Sequence, residues 1–236
     1  MSVADGCADG CYVLYGGGVT RGLGPQMVME EGGIPYRLSV VDEFGGEHRS
    51  PAYRTLNPAG LIPTLITPDG QILHEAPAIM LYLAERHRLD ALLPGPDDPA
   101  RGKFLVRFFF QTNDIVPAMS RFFRPERFST EASHTDAIRQ RAFDEACEKW
   151  SVLDGYLATE GPYHLGDRFS LADIHMALWA AYGLRETDDV TSRFPAVRRC
   201  FELTAARPKI RPLIETLIED MGRWRAANAA KLACSN

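Results

Sequence analysis

Residues Asn57-Pro-Ala-Gly-Leu-Ile-Pro63, followed by Glu75-Ala-Pro-Ala-Ile-Met-Leu-Tyr-Leu83, decide how this chain is read. They predict a turn, a strand opened by proline, a hairpin at Pro68-Asp-Gly-Gln71, a short strand and an amphipathic helix. Proline has a fixed φ and no N–H, so it fits the first position of a strand. An X–Pro bond also adopts cis at low cost, which Ile62–Pro63 is suited to do. That geometry leaves the Ile62 N–H and C=O facing a cleft, where an extended peptide pairs as an added strand. Glu75 can bind an ammonium, and the free N–H groups that open the next helix can bind a carboxylate. Together these features describe a site for a small zwitterionic peptide.

Outward from that stretch, the first ninety or so residues alternate strand and helix signals. Strands are expected at 12–16, 36–41, 64–67 and 72–74, and helices at 21–31, from 51, and at 77–88. Gly32-Gly33 closes the first helix as a C-cap, and Ser50-Pro51 opens the second. Leu92-Leu-Pro-Gly-Pro-Asp-Asp-Pro99 reads as a linker, since its prolines cannot continue a helix. Beyond it every long segment is helical, at about 100–122, 133–159, 170–182, 190–205 and 208–230. The second domain is therefore expected to be all-α. In Gly166-Asp-Arg-Phe-Ser-Leu-Ala-Asp173, Ser170 and Asp173 form a reciprocal capping box for a buried helix. No motif places a histidine beside them, which argues against a catalytic Ser–Asp pair.

The order N-P-x-G-x-I-P, then a hairpin, then E-x-x-A-I-x-x-Y-L resembles the glutathione-binding half of the cytosolic glutathione transferase superfamily. The resemblance spans roughly residues 12–225 and is of the bacterial type. It implies an α/β thioredoxin-like domain at 12–90, a linker at 91–99 and an all-helical domain at 100–236; the composition of residues 1–11, with two aspartates and no basic cluster, reads as a disordered tail. It also implies a homodimer, with the first domain of one chain against the second of the other. Glutathione would serve as co-substrate, held by Ile62, Pro63, Glu75 and Ala76, and its thiolate would attack an apolar or aromatic electrophile.

Such an enzyme must stabilise a thiolate. A free thiol titrates near 8.5, and lowering that by about two units takes about 2.7 kcal/mol of preference for the anion. By the resemblance, Thr20 falls where serine-type classes carry their serine, and Arg21 where some cysteine-type classes carry cysteine. The Thr20 hydroxyl suits a thiolate donor and equally an N-cap for the first helix. Arg21 suits an added positive charge and equally a solvated first-turn side chain. No cysteine lies at either position, which disfavours a mixed-disulfide reductase. Gly16-Gly-Gly18 lacks the Lys-Ser/Thr of a phosphate loop.

Two positions depart from the family pattern. Ala76 stands where members show serine, keeping the backbone N–H and losing a hydroxyl worth about 1.5–3 kcal/mol to a charged ligand group. Leu61 stands where many members carry a polar residue. These departures favour the rival reading, a non-catalytic protein-interaction module with the same fold. The electrophile would meet the aromatic-rich segment 107–123, where Phe108, Phe109, Asn113 and Pro117 are the pocket candidates, with Arg121 a further polar one. Three successive phenylalanines cannot share one helix face, so part of this stripe belongs to the core. Pro117 is expected to kink the helix and free a carbonyl. The segment 224–231 is a candidate cover.

Composition bounds the partners. The chain has 236 residues, is 45% hydrophobic and 24% charged, and carries a net charge of −5, so the basic footprint of a nucleic-acid binder is missing. No apolar run approaches the ~20 residues of a membrane span. Five irregularly spaced cysteines predict a reduced, cytoplasmic setting. Cys7 and Cys11 read as tail thiols. The six histidines show no ligand spacing, and no metal is expected.

Overall fold

The structure, a computed structural model, describes residues 10–183 and 190–233. Cys7 and Cys234 lie outside them, as does most of the expected tail. The chain divides into two compact units, one of residues up to 88 with those from 206 onward, the other of residues 89–205.

The first unit opens with strand β1 (Tyr12–Gly16), helix α1 (Leu23–Gly32), strand β2 (Tyr36–Val40) and helix α2 (Pro51–Leu56). Strands β3 (Thr64–Ile66) and β4 (Ile72–His74) and helix α3 (Ala76–Arg86) follow. The sheet order is β2-β1-β3-β4, with β1 parallel to β2 and antiparallel to β3. This is the expected β-α-β-α-β-β-α order of a thioredoxin-like domain. β1 is buried along its whole length, because both faces of a central strand are covered. Gly33, at φ 63°, takes the left-handed conformation that ends α1. The Ser50 side chain accepts the Tyr53 N–H at 3.1 Å and starts α2 ahead of Pro51.

Gly16 and Gly22 bring the end of β1 against the start of α1. A Cβ on Gly22 would lie 3.0 Å from the Gly16 Cα, a contact so tight that the backbone would have to shift. The glycine-rich loop is thus a packing requirement of this turn.

The second unit holds α4 (Arg101–Phe110), a π-helical stretch (Gln111–Ile115), α5 (Val116–Phe123), α6 (Thr135–Glu160), α7 (Leu171–Gly183) and α8 (Pro195–Ala205). Among its described residues, extended pairing is limited to isolated bridges such as Tyr163 with Gly166. The helix expected over 190–205 breaks at Pro195, preceded by the 3-10 turn Val190–Arg193. The proline-rich segment expected as a linker is packed into this unit. Leu92 and Leu93 are buried, the Leu92 carbonyl accepts the Leu171 N–H at 2.9 Å, and Arg101 Nη1 donates to the Pro94 carbonyl at 2.7 Å.

Helix α9 (Arg211–Ala233) clusters with the first unit rather than with the helices that precede it. The Arg207 guanidinium pairs with both Glu31 carboxylate oxygens, at 3.0 and 2.7 Å, and Lys209 Nζ donates to the Glu31 carbonyl at 3.1 Å. The segment expected as a covering tail, 224–231, is helical backbone, and most of its side chains lie outside the described residues. Among the described residues no helix is long and apolar enough to cross a membrane.

Candidate functional site

The turn before β3 is built from the side of α2. Asn57 Nδ2 donates to the Leu61 carbonyl at 2.8 Å, and its Oδ1 accepts the Ala59 N–H at 3.1 Å. The Tyr53 hydroxyl donates to the same Leu61 carbonyl at 2.9 Å and meets Thr64 Oγ1 at 3.0 Å. Burial pushes the Tyr53 phenol up, against the lowering effect of the Thr64 hydrogen bond, so it stays a donor. Gly60, at φ 61°, holds a left-handed conformation that L side chains rarely adopt, and a Cβ there would crowd the His48 carbonyl at 3.1 Å. The Ile62–Pro63 bond is cis. The Ile62 side chain packs on the cluster of Val13, Tyr15, Val41, Tyr53, Leu56 and Ile66. Its main-chain N–H and C=O have no partner among the described residues. Leu61 itself points outward, 51% exposed.

Glu75 stands at the N-cap of α3 with φ 66° and ψ 112°. A non-glycine residue in that region carries a backbone cost of order 1–3 kcal/mol, which surrounding structure must sustain. Its carboxylate is exposed and makes no capping bond. The amides of Ala76 and Ala78 precede any intrahelical carbonyl, and Pro77 has none, so the helix start presents donors without acceptors. Ala76 is buried, with a methyl where the family pattern has a hydroxyl.

Thr20 is 4% exposed. α1 begins at Leu23 with Gly22 as N-cap, two residues later than expected, so Thr20 is not the N-cap. Its Oγ1 instead accepts the Gly22 N–H at 3.2 Å in the preceding turn. The hydroxyl proton finds no acceptor among the described residues and is available to a thiolate. Arg21 is exposed.

In the second unit, Phe108 is fully buried, stacked on Phe104 and tilted against His175, which makes it core rather than pocket lining. Phe109 is 43% exposed, Asn113 is exposed and Pro117 is half-buried. Arg121 is paired with Glu145 at 2.7 Å. Thus the π-helical stretch separates Phe109 from Pro117, a feature that proline alone did not announce.

Half of the expected capping box is present, the Asp173 carboxylate on the Ser170 N–H, while the Ser170 side chain caps Ala172 rather than Asp173 and the carboxylate reaches further partners. Asp173 Oδ2 accepts the Ser170 N–H and the Ser170 hydroxyl, each at 2.8 Å, while Ser170 Oγ accepts the Ala172 N–H at 3.3 Å. Asp173 Oδ1 accepts the His164 N–H at 2.8 Å and the Cys200 thiol at 3.3 Å. Burial, then the Asp173 carboxylate, pushes the Cys200 thiol far up, so it remains a neutral donor. Among the described residues no cluster of histidine, cysteine, aspartate or glutamate is arranged to hold a metal.

The family described as "Glutathione S-transferase, N-terminal domain" matches residues 23–86, and "Glutathione S-transferase, C-terminal domain" matches residues 112–208. The maleylacetoacetate isomerase of Pseudomonas aeruginosa is 31% identical over 194 residues, spanning 76% of this chain and 84% of its own length. The chain belongs to the glutathione S-transferase family. The glutathione S-transferase 2 of Anopheles gambiae is 30% identical over 167 residues, 70% of this chain and 75% of its own. Among solved structures, a Burkholderia graminis glutathione transferase with two glutathione molecules per subunit superposes with a TM-score of 0.74 at 27% identity. That alignment covers 87% of this chain and 88% of the other. In this glutathione S-transferase fold, the turn at Ile62-Pro63 and the start of α3 lie within the N-terminal match, and the π-helical stretch begins just before the C-terminal one.

Proposed function

We infer that this chain binds glutathione in its first unit and activates the thiol for attack on an apolar or aromatic electrophile. The observation that carries the reading is the unpartnered Ile62 main chain beside the unacceptored amides of α3. An extended tripeptide pairs its backbone with Ile62, puts its γ-glutamyl carboxylate on the α3 amides and its ammonium near Glu75. Thr20 supplies the hydroxyl donor, and Arg21 adds positive charge. The thiol proton leaves to solvent, and the sulfur attacks the electrophilic carbon. Conjugation, dehalogenation and ether cleavage follow when the leaving group departs. Isomerisation of a cis-alkene acid follows when the sulfur adds, the carbon–carbon bond rotates and the sulfur is expelled. The Pseudomonas relative, named an isomerase, supports including that outcome. Phe109, Asn113 and Pro117 are the electrophile-side candidates. Cytoplasmic detoxification by a homodimer belongs to the same proposal.

Ala76 favours one rival, a non-catalytic interaction module whose glutathione site has decayed. Calorimetric titration with glutathione separates the two. Saturable binding at micromolar to low-millimolar concentration, weakened by Glu75→Ala, is the expected result. Absence of binding at several millimolar leaves the interaction module standing and removes the enzyme.

A further inference from the structure

The break in the long helix opening the second unit has a cause two residues past its end. Pro117 donates no N–H, and its ring crowds the carbonyl four residues back, that of Asn113. The π-helical stretch Gln111–Ile115 relieves that crowding by inserting an extra residue into the turn. The insertion offsets the helix register by about 100° on either side of the bulge. The relative facing of Phe109 ahead of it, Asn113 within it and α5 beyond it therefore depends on whether the bulge is kept.

Three side chains of the stretch hold the bulge in place. Gln111, which opens it, is buried, and its Nε2 donates to the Ala172 carbonyl at 3.1 Å and meets His164 Nε2 at 3.2 Å. Because the amide is the donor, His164 Nε2 must be the acceptor, and the ring proton sits on Nδ1. His164 is itself tied down through its N–H to Asp173 Oδ1. At the other end of the stretch, Asp114 pairs with Lys149 of α6 at 3.1 Å. Within it, the Thr112 hydroxyl donates to the Phe108 carbonyl at 3.1 Å, which also accepts the Gln111 N–H. The partly exposed Asp114 pair is worth little, so the buried pair is the anchor.

We propose that Gln111 and His164 are positioning residues, a buried latch that holds the π register and so orients Phe109 and Asn113 toward the electrophile. The electrophile clause rests on the function inferred above; the latch does not. Protonating His164 opens it, because an imidazolium cannot accept from Gln111. The groups facing the ring are Asp173, which favours the charged form, and Arg107, which opposes it and is paired with Glu160 at 3.1 Å. Burial, the largest influence, keeps the ring neutral.

The test compares wild type, Gln111→Leu and His164→Gln, the last of which keeps an acceptor near the position of Nε2. Hydrogen exchange of amides 112–116 should accelerate at least ten-fold in Gln111→Leu and stay near wild type in His164→Gln. The KM for the electrophile should rise about ten-fold in Gln111→Leu, with the KM for glutathione unchanged, as expected for a misplaced contact. A lowered melting temperature with unchanged exchange and unchanged electrophile KM overturns the latch. If the wild type turns over no electrophile, the inferred function fails and the exchange result alone decides the latch. Should Gln111→Leu not fold, nitrogen chemical shifts of the wild-type His164 ring decide instead. Nδ1-protonated imidazole sustains the proposal, and the opposite tautomer overturns it.

Discussion

At the scale of single residues, Ala76 and Thr20 carry the sharpest expectations. Ala76 contributes an amide at the start of α3 but no hydroxyl. Restoring one in Ala76→Ser adds a hydrogen bond to a carboxylate, worth about 1.5–3 kcal/mol, so glutathione should bind at least ten-fold more tightly. Titration calorimetry reads this directly, and an unchanged affinity would mean that the carboxylate lies elsewhere. Thr20 has used its acceptor side on the Gly22 amide, which leaves its proton free to donate. Thr20→Ala should raise the pKa of bound thiol by about one unit, or 1.36 kcal/mol. Turnover at pH 6.5 should then fall about ten-fold, with the deficit closing above the thiol pKa. A deficit of equal size at every pH would place Thr20 outside thiolate stabilisation. Both residues stand out in the sequence, because each sits in a local motif of a few positions. The bonds around them do not: Tyr53 and Asn57 converge on the Leu61 carbonyl only once α2 is folded against the turn.

At the scale of elements, the capping box ties three segments together. Reading Ser170 and Asp173 as a box of four residues accounts for about 1 kcal/mol. The folded carboxylate also receives His164 and Cys200, so Asp173→Ala strands several buried donors. His164 makes this region acid-sensitive. Burial holds its folded pKa below the ordinary value, so the unfolded chain takes up the proton first. The stability linked to it is complete above about pH 6.5 and is lost as pH falls from there toward the folded pKa. Thermal melts between pH 8 and 5 should show a steeper loss in wild type than in His164→Gln, and parallel curves would show that another group dominates. The helix over 100–122 was predictable from its apolar pattern, and Pro117 signalled a disturbance. The π stretch was not legible, since its anchor lies 53 residues away at His164.

At the scale of the molecule, the chain builds most of one unit, then all of a second, and returns to the first at Ala206. The return is sealed where Arg207 and Lys209 bind Glu31, whose side chain is largely buried. A two-pronged pair of this kind is stronger than an ordinary surface ion pair. Glu31→Ala should therefore lower the melting temperature and speed hydrogen exchange in the first turns of α9, with glutathione affinity retained. Exchange unchanged in 211–220 would show that apolar packing alone holds that helix. By itself the sequence determined the two-part architecture, the strand and helix order of the first part, and the turn and helix start at which glutathione is proposed to bind. Each of these rests on interactions within a few residues, where proline, glycine and apolar period act directly on the backbone. Only the tertiary structure assigned α9 to the first unit, put Phe108 in the core and left Phe109 exposed, and set the register of the long helix. Those outcomes depend on pairs such as Glu31 with Arg207 and Gln111 with His164, whose partners meet only after the chain has closed long loops.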